Sequence, residues 1–438
     1  MIARIDPRPL AGTVPAIASK SLAHRHIIAA ALANGTTRVE CATTCEDIEA
    51  TVRCLETLGA RIERDPRGFT VHPVPKSTER GILAALKGRT LDCGESGSTL
   101  RFLLPVACAL GAEATFTGEG RLGERPIEPL ARELVAAGAD LGDGSGLPLT
   151  TGGRIRPGTF ELPGDVSSQY ITGLLLAAPL LDGASQVRVV GRLESRPYVD
   201  LTIAVLAAFG VVVAVEEGAT PGGLPLTVFS VPAGGYRTPG RVTVEGDWSN
   251  AAFWLCAGAL GDEPVTVTGI EPQSIQGDRA VLAVLALFGA RARRAQSAIT
   301  VRPCGLRPIE LDARDIPDLV PVLAAVAACA EGRSRIFGCA RLRLKESDRL
   351  LTTAEELGHL GAAVAVERDA LVIDGRGRLA GGAVDAHGDH RIAMMAAVAA
   401  TRCDGPVTIF GAEAVNKSYP GFFQHYRQLG GHVELADE

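Results

Sequence analysis

Along the chain, apolar residues at helical spacing run up to a glycine and then give way to a β-branched stretch. The phrase recurs as "VRCLETLGARIE", "ARELVAAGADLG", "IAVLAAFGVVVAVE", "VLAVLALFGARARR", "AEELGHLGAAVAVE" and "FFQHYRQLGGHVEL". Its stop glycines are Gly59, Gly138, Gly210, Gly289, Gly361 and Gly430, with steps of 79, 72, 79, 72 and 69 residues. A second phrase interleaves with the first, an Ala/Leu-rich helix closing on glycine before another strand. It stops at Gly35, Gly111, Gly183, Gly261, Gly332 and Gly405, with steps of 76, 72, 78, 71 and 73. Glycine just past a helix suits a left-handed cap, so each position predicts a helix end. Two independent markers on one period predict six units of roughly 70–80 residues, each with two helices and several strands. Units this long are small α/β subdomains, not solenoid repeats.

The starts of the Ala-rich helices read "SKSLAHR" (19–25), "ESGSTLR" (95–101), "DVSSQYI" (165–171), "GDWSNAA" (246–252), "DIPDLVP" (315–321) and "HGDHRIA" (387–393). Most begin in Ser, Asp or Gly turns that suit N-caps, and exposed backbone N–H groups at such starts bind phosphate or carboxylate. The first is electrostatically odd. Lys20 and Arg25 crowd helix turns where the dipole is already positive. Beside a bound anion the cations and the dipole would act together, and Ser21 and Arg25, four apart, share a face. A solvated surface Lys and Arg is the plain alternative.

Composition narrows the class. A chain of 438 residues predicts two domains, and 46% hydrophobic with 21% charged residues describes a globular protein. A net charge of −6 disfavours a nucleic-acid partner. Ten cysteines without a CxxC pair suit reduced thiols. The start "MIARIDPRPLAGTV" has no signal-peptide character, and "LVPVLAAVAACA" (319–330) is too short to span a bilayer. The expectation is a cytoplasmic protein without membrane contact.

Further candidate chemistry lies in four stretches. "RLRLKESDRLL" (341–351) is expected to put Lys345 and Arg349 on one helix face, with Glu346 between them or paired to Arg349 at i,i+3. "AHGDHRIAMM" sets Asp389, His390 and Arg391 before an apolar helix. Asp385, His387, Asp389 and His390 also invite a metal reading. It is disfavoured because Arg391 would repel a cation and no partner cluster has ligand spacing elsewhere. "GEGRLGERPIEPL" carries Arg125 in a Gly-rich loop, and "AVNKSYPGFF" sets Lys417 in a turn. No P-loop, GxSxG or HExxH occurs, which leaves nucleotide hydrolysis and the common hydrolases unsupported.

Together, "SKSLAHR", "ESGSTLRF", "GERPIEPL", "SSQYITGLLL", "SRPYVDLT", "IPDLVP", "LKESDRL", "GDHRIAM" and "NKSYPGFF" resemble, in order and along essentially the whole chain, the 5-enolpyruvylshikimate-3-phosphate (EPSP) synthase family. The resemblance implies an α/β (α+β) fold of six βαβαββ units in two pseudo-threefold domains, with the active site in the interdomain cleft. The expected domains are 1–14 with 240–438, and 15–239. The implied reaction moves the enolpyruvyl group of phosphoenolpyruvate to the 5-hydroxyl of shikimate 3-phosphate and releases phosphate. Carried over by motif, Lys20, Ser21, Arg25, Ser167, Ser168, Gln169, Ser195, Tyr198, Asp318 and Lys345 would hold shikimate 3-phosphate. Lys20, Gly97, Arg125, Gln169, Arg349, Arg391 and Lys417 would hold phosphoenolpyruvate. Gly97 suits close approach of backbone to a ligand. Asp318, which alone reads as an N-cap, would be the base and Glu346 the acid, with Lys20 assisting.

The charges agree with that picture. Two phosphates and two carboxylates bring roughly five to six negative charges. Seven cations, Lys20, Arg25, Arg125, Lys345, Arg349, Arg391 and Lys417, would let two mutually repelling anions share a site. The reaction needs no metal or organic cofactor, and a monomer is expected. Two positions depart from the family: Arg341 stands where Asn is common, and Glu95-Ser96-Gly97 where "NAG" is usual. The nearest alternative is a UDP-N-acetylglucosamine enolpyruvyl transferase, which commonly has Cys where this chain has Gly120. The other is a non-catalytic anion-binding scaffold, disfavoured by 4% aromatic content.

Overall fold

The computed structural model describes residues 1–75, 87–142, 144, 146–303 and 305–437. Among these described residues, twelve α-helices alternate with strands along the chain. They are Lys20–Leu32 (α1), Glu46–Thr57 (α2), Gly97–Leu110 (α3), Leu130–Ala137 (α4), Ser168–Ala177 (α5) and Arg196–Ala208 (α6). They continue as Trp248–Leu260 (α7), Val281–Phe288 (α8), Val320–Ala328 (α9), Arg349–His359 (α10), His390–Ala400 (α11) and Phe422–Gln428 (α12). The odd-numbered helices are the Ala/Leu-rich ones. α7, α9 and α11 are buried on all sides, as uniformly apolar helices must be, whereas α2 and α10 expose a polar face.

The described residues form six four-stranded sheets with one topology. In each, an edge strand runs parallel to its neighbour, which pairs antiparallel with a third strand, itself antiparallel to a fourth. In the sheet of 159–163, 185–190, 225–231 and 214–219 the strands follow the order of one repeat. Three sheets borrow a strand from far along the chain. Arg241–Thr243 supplies the parallel edge beside Thr37–Glu40. Gly12–Pro15 does the same beside Val265–Thr268. Ile2–Asp6 sits between Val407–Phe410 and His432–Ala436.

The chain divides into two compact units: Met1–Ser19 with Glu245–Glu438, and Lys20–Val244. Each holds three of the sheets and six of the helices. In the first unit α7, α9 and α11 pack on one another, and their Ala, Leu, Val and Trp side chains form a single apolar core. In the second, α3 packs on α5 and α5 on α6, while Arg25 of α1 lies over the Phe102 ring of α3, 4.9 Å from its centroid.

The glycine markers divide by mechanism. Gly59, Gly138, Gly210, Gly289, Gly361 and Gly430 all have positive φ, between 79° and 112°, and end the even-numbered helices. Among the second set only Gly111 caps its helix in the left-handed region, at φ 68°. Gly261 caps α7 at φ −74°; a β-carbon there would lie 3.2 Å from the Ala257 and Leu10 carbonyl oxygens. Its demand is for space, not for handedness.

The nine described cysteines are buried free thiols, and Cys304 lies outside the described residues. Burial pushes Cys45, Cys108, Cys329, Cys339 and Cys403 up to about 12, so these thiols stay protonated near neutrality. Among the described residues, no helix is long and apolar enough to cross a membrane.

Candidate active site

In the unit of Lys20–Val244 the chemistry-bearing residues gather at helix starts. Lys20 is the first residue of α1, and its Nζ lies 2.8 Å from the Asp47 carboxylate in the first turn of α2. That partner resolves the unfavourable charge at the helix start: a carboxylate already faces it. Arg25 is 2% exposed and spends its guanidinium on Thr202 Oγ1 (2.9 Å), Ser21 O (2.6 Å), Tyr198 O (3.0 Å) and Thr172 Oγ1 (3.3 Å). Burial lowers its pKa to about 10, which still leaves the side chain charged near neutrality. Ser21 and Arg25 thus share a face, on which Arg25 is buried and Ser21 is partly exposed.

A buried polar chain ties these starts together. His24 Nδ1 bonds Thr51 Oγ1 (2.7 Å), Thr51 bonds Thr99 (2.7 Å), and Thr99 bonds the Ser96 hydroxyl that caps α3 (2.8 Å). Burial first, then Lys20 and Arg25, holds His24 well below its ordinary pKa, so it is a neutral link. Gln169, in the first turn of α5, accepts from Arg101 Nη1 (2.7 Å) and donates to Ser98 Oγ (3.0 Å), which fixes the direction of its amide. Ser167 caps α5, Ser168 follows it nearly buried, and Ser195 stands before α6 at φ 53°. Arg125 is 7% exposed, and what closes on Gly97 is its guanidinium: a β-carbon at Gly97 would lie 2.8–2.9 Å from it. The glycine therefore makes room for a side chain, where the sequence suggests room for a ligand.

In the other unit, three Ala-rich helix starts meet through named bonds. Arg391 of α11 donates to Asp318 O (2.9 Å) just before α9 and to Ser249 Oγ (2.8 Å) of α7. The Asp318 carboxylate is 3.2 Å from Lys345 Nζ, 3.0 Å from Arg349 Nη1 and 3.3 Å from Arg391 Nη2. Burial alone would raise its pKa; Arg391, Lys345 and Arg349 together hold it well below the usual carboxylate range. Asp318 thus sits in the short helical turn Pro317–Leu319, not at an N-cap.

Arg349, 1% exposed, also meets Glu346 (2.5 Å) and takes both oxygens of fully buried Asp389 (2.8 and 3.1 Å). Although burial opposes it, Asp389, Glu346 and Asp318 raise its pKa further. Lys417 donates to Gly388 O at 2.6 Å.

Two expectations change here. Lys345 and Arg349 do not share a helix face: α10 begins only at Arg349, capped by Asp348. They meet because both reach Asp318. The cations also do not face bare anion sites, since Asp47, Asp318, Glu346 and Asp389 already partner several of them. As for the metal reading, Asp385 Oδ1 accepts from His387 N, and Asp389 is spent on Arg349, Ser347 and the Arg391 amide.

Comparison with known proteins then decides the family. The model of "EPSP synthase (3-phosphoshikimate 1-carboxyvinyltransferase)" matches residues 5–426. The chain belongs to the EPSP synthase family. It is 40% identical to a 3-phosphoshikimate 1-carboxyvinyltransferase of Clostridium kluyveri over 98% of this chain and 97% of that one. Its structure is similar to that of EPSP synthase from Acinetobacter baumannii, with a TM-score of 0.79, 28% identity and complete coverage of both chains. The enolpyruvyl transferase NikO from Streptomyces tendae, at 22% identity and a TM-score of 0.74, covers 99% of this chain and shares the fold.

Within this EPSP synthase family chain, sequence reasoning missed Asp47, Arg101, Ser249 and Asp278 as members of the two clusters, and it named Asp389 without its partner Arg349. Arg101 and Ser249 lie inside quoted motifs, so their signal was present. Asp47 and Asp278 carry none, because only the fold brings them to their partners. Asp278 is buried and its pKa is pushed up to about 6, first by burial and then by Asp318, against Arg391 and a Ser249 hydrogen bond. A raised acid pKa subtracts stability as pH rises from the unfolded value toward the folded one. Asp278→Asn removes that penalty. In urea denaturation, its stability relative to wild type is expected to increase by about 2 kcal/mol between pH 4.5 and 7.5. A gap that stays constant with pH would show that Asp278 does not titrate in this window.

Proposed function

We propose that this chain transfers the enolpyruvyl group of phosphoenolpyruvate to the 5-hydroxyl of shikimate 3-phosphate, releasing phosphate, with the residues named above in the following roles. The observation that carries the division of roles is the Asp318 carboxylate held among Lys345, Arg349 and Arg391. Those cations suppress its basicity while no anion engages them. Substrate phosphate or carboxylate would draw them off, and Asp318 would then accept the proton of the attacking hydroxyl.

The hydroxyl oxygen bonds to C2 of phosphoenolpyruvate while Glu346 gives a proton to the methylene carbon, forming a tetrahedral ketal. Glu346, now a carboxylate, takes a proton back from the methyl group as the C2–O bond to phosphate breaks, which restores the double bond, releases phosphate and completes the transfer. Lys20, Gly97, Arg125, Gln169, Arg349, Arg391 and Lys417 would hold phosphoenolpyruvate, and the cations among them would stabilise charge on the leaving group. Lys20, Ser21, Arg25, Ser167, Ser168, Gln169, Ser195, Tyr198, Asp318 and Lys345 would hold shikimate 3-phosphate.

Gly120 weighs against the UDP-sugar alternative. It has φ 53°, and a β-carbon there would lie 2.6 Å from Glu95 Oε2, so a cysteine at this position would be strained and crowded. Action as a monomer in the cytoplasm belongs to the same proposal.

Phosphate release by the purified protein with phosphoenolpyruvate and shikimate 3-phosphate tests the reaction. Release only with UDP-N-acetylglucosamine as acceptor would replace it. Gly97→Ala tests the Arg125 assignment. The added methyl must push the guanidinium aside, so KM for phosphoenolpyruvate is expected to rise at least tenfold. Thermal stability should hardly change, because the displaced atoms end a flexible side chain. An unchanged KM would take Arg125 out of the phosphoenolpyruvate set.

A further inference from the structure

We propose that buried Glu356 and its surface partner His387 form a positioning device that sets the turn 385–389, and through it Lys417 and Arg349, for phosphoenolpyruvate. The inference rests on the enolpyruvyl transfer reading above. Neither residue belongs to the clusters already described, and neither touches a proposed substrate-binding side chain directly.

Glu356 lies in α10 and is 1% exposed. Its Oε2 accepts from the Asp385 amide (3.0 Å) and meets His359 Nδ1 (3.1 Å), while its Oε1 meets His387 Nε2 (2.7 Å). The exposed Glu355 carboxylate completes the group facing His387, with the three side chains' polar atoms within 4.8 Å of one another. The His387 amide in turn donates to Asp385 Oδ1 (2.7 Å). One buried carboxylate thus grips the turn at two points, by backbone and by side chain.

The turn needs gripping. His387 has φ 51° and Gly388 φ 63°, two successive residues in the left-handed region, where a β-carbon is disfavoured and only Gly388 lacks one. This backbone path aims Gly388 O at Lys417 Nζ, 2.6 Å away. The next residue, Asp389, caps α11 and clamps Arg349. A slack turn would move the Gly388 carbonyl and Asp389 together, and with them two cations assigned to phosphoenolpyruvate. Shikimate 3-phosphate, assigned mainly to residues of the other unit, should be spared.

The test uses two variants of the full chain, His387→Gly and His387→Gln. Glycine takes φ 51° without strain but releases Glu356; glutamine keeps a donor that can reach it. For His387→Gly the expected result is a KM for phosphoenolpyruvate raised at least tenfold, with KM for shikimate 3-phosphate within twofold and an unchanged melting temperature. In the ligand-free protein, amide exchange at His387, Asp389 and Arg391 should be at least tenfold faster. His387→Gln should restore both readouts to within threefold of wild type. Wild-type exchange and KM in the glycine variant, both KM values rising together, or glutamine behaving as glycine would each overturn the proposal. If wild type itself releases no phosphate with shikimate 3-phosphate, the functional reading fails, and the exchange experiment still decides whether the pair holds the turn.

Discussion

Replacing Asp389 by alanine is expected to cost about 3–5 kcal/mol of stability, because it strands a charge the fold cannot solvate. Arg349 is 1% exposed and Asp389 fully buried, and the pair is joined by two hydrogen bonds of 2.8 and 3.1 Å. The same carboxylate accepts from Ser347 Oγ (3.1 Å) and from the Arg391 amide at the start of α11 (2.9 Å). Alanine therefore removes an ion pair and a helix cap together, the cap by itself worth about 1 kcal/mol. Asp389→Asn keeps the acceptor but not the charge and should fall between alanine and wild type. Equilibrium urea denaturation measures all three. An alanine cost under about 1 kcal/mol would show that Asp318 and Glu346 satisfy Arg349 unaided.

Replacing Glu346 by glutamine is expected to lower turnover by about 10²- to 10⁴-fold, the range for losing a general acid. The fold should survive it, since Glu346 sits in the segment before α10 and Arg349 keeps Asp389 and Asp318. Both KM values should stay within about threefold, because glutamine still accepts from the guanidinium. Steady-state phosphate release measures the three constants. Turnover near the wild-type level would remove the acid role, and attention would pass to Lys20, whose alanine variant is expected to lose at least tenfold.

The fold was largely legible because its signal is local and repeated. A helix that ends in a glycine of positive φ writes its stop into the sequence, and Gly59, Gly138, Gly210, Gly289, Gly361 and Gly430 do so on a common period. The second set of glycines was legible as punctuation but not as mechanism. Gly261 answers to the carbonyls of Ala257 and Leu10, and Leu10 is a neighbour only after folding. The borrowed strands lie further out of reach. Ile2–Asp6 pairs with residues more than four hundred positions away, and no periodicity within a repeat announces it.

The chemistry divides in the same manner. Residue types and motif order identify which side chains carry charge and which helix starts they occupy, since a cap, a Gly-rich loop or a Lys-Glu-Ser-Asp-Arg run is a short-range feature. What each charge faces is a long-range feature. Lys20 beside Asp47, Arg25 enclosed by α5 and α6, and Arg349 gripped by Asp389 join residues 27 to 177 positions apart. The sequence alone determined the repeat, the helix starts and the inventory of acids and bases, because those follow from neighbours along the chain. Only the tertiary structure decided their partners, and with them the protonation of Asp318 and Asp278, because electrostatic energy depends on distance and burial in space.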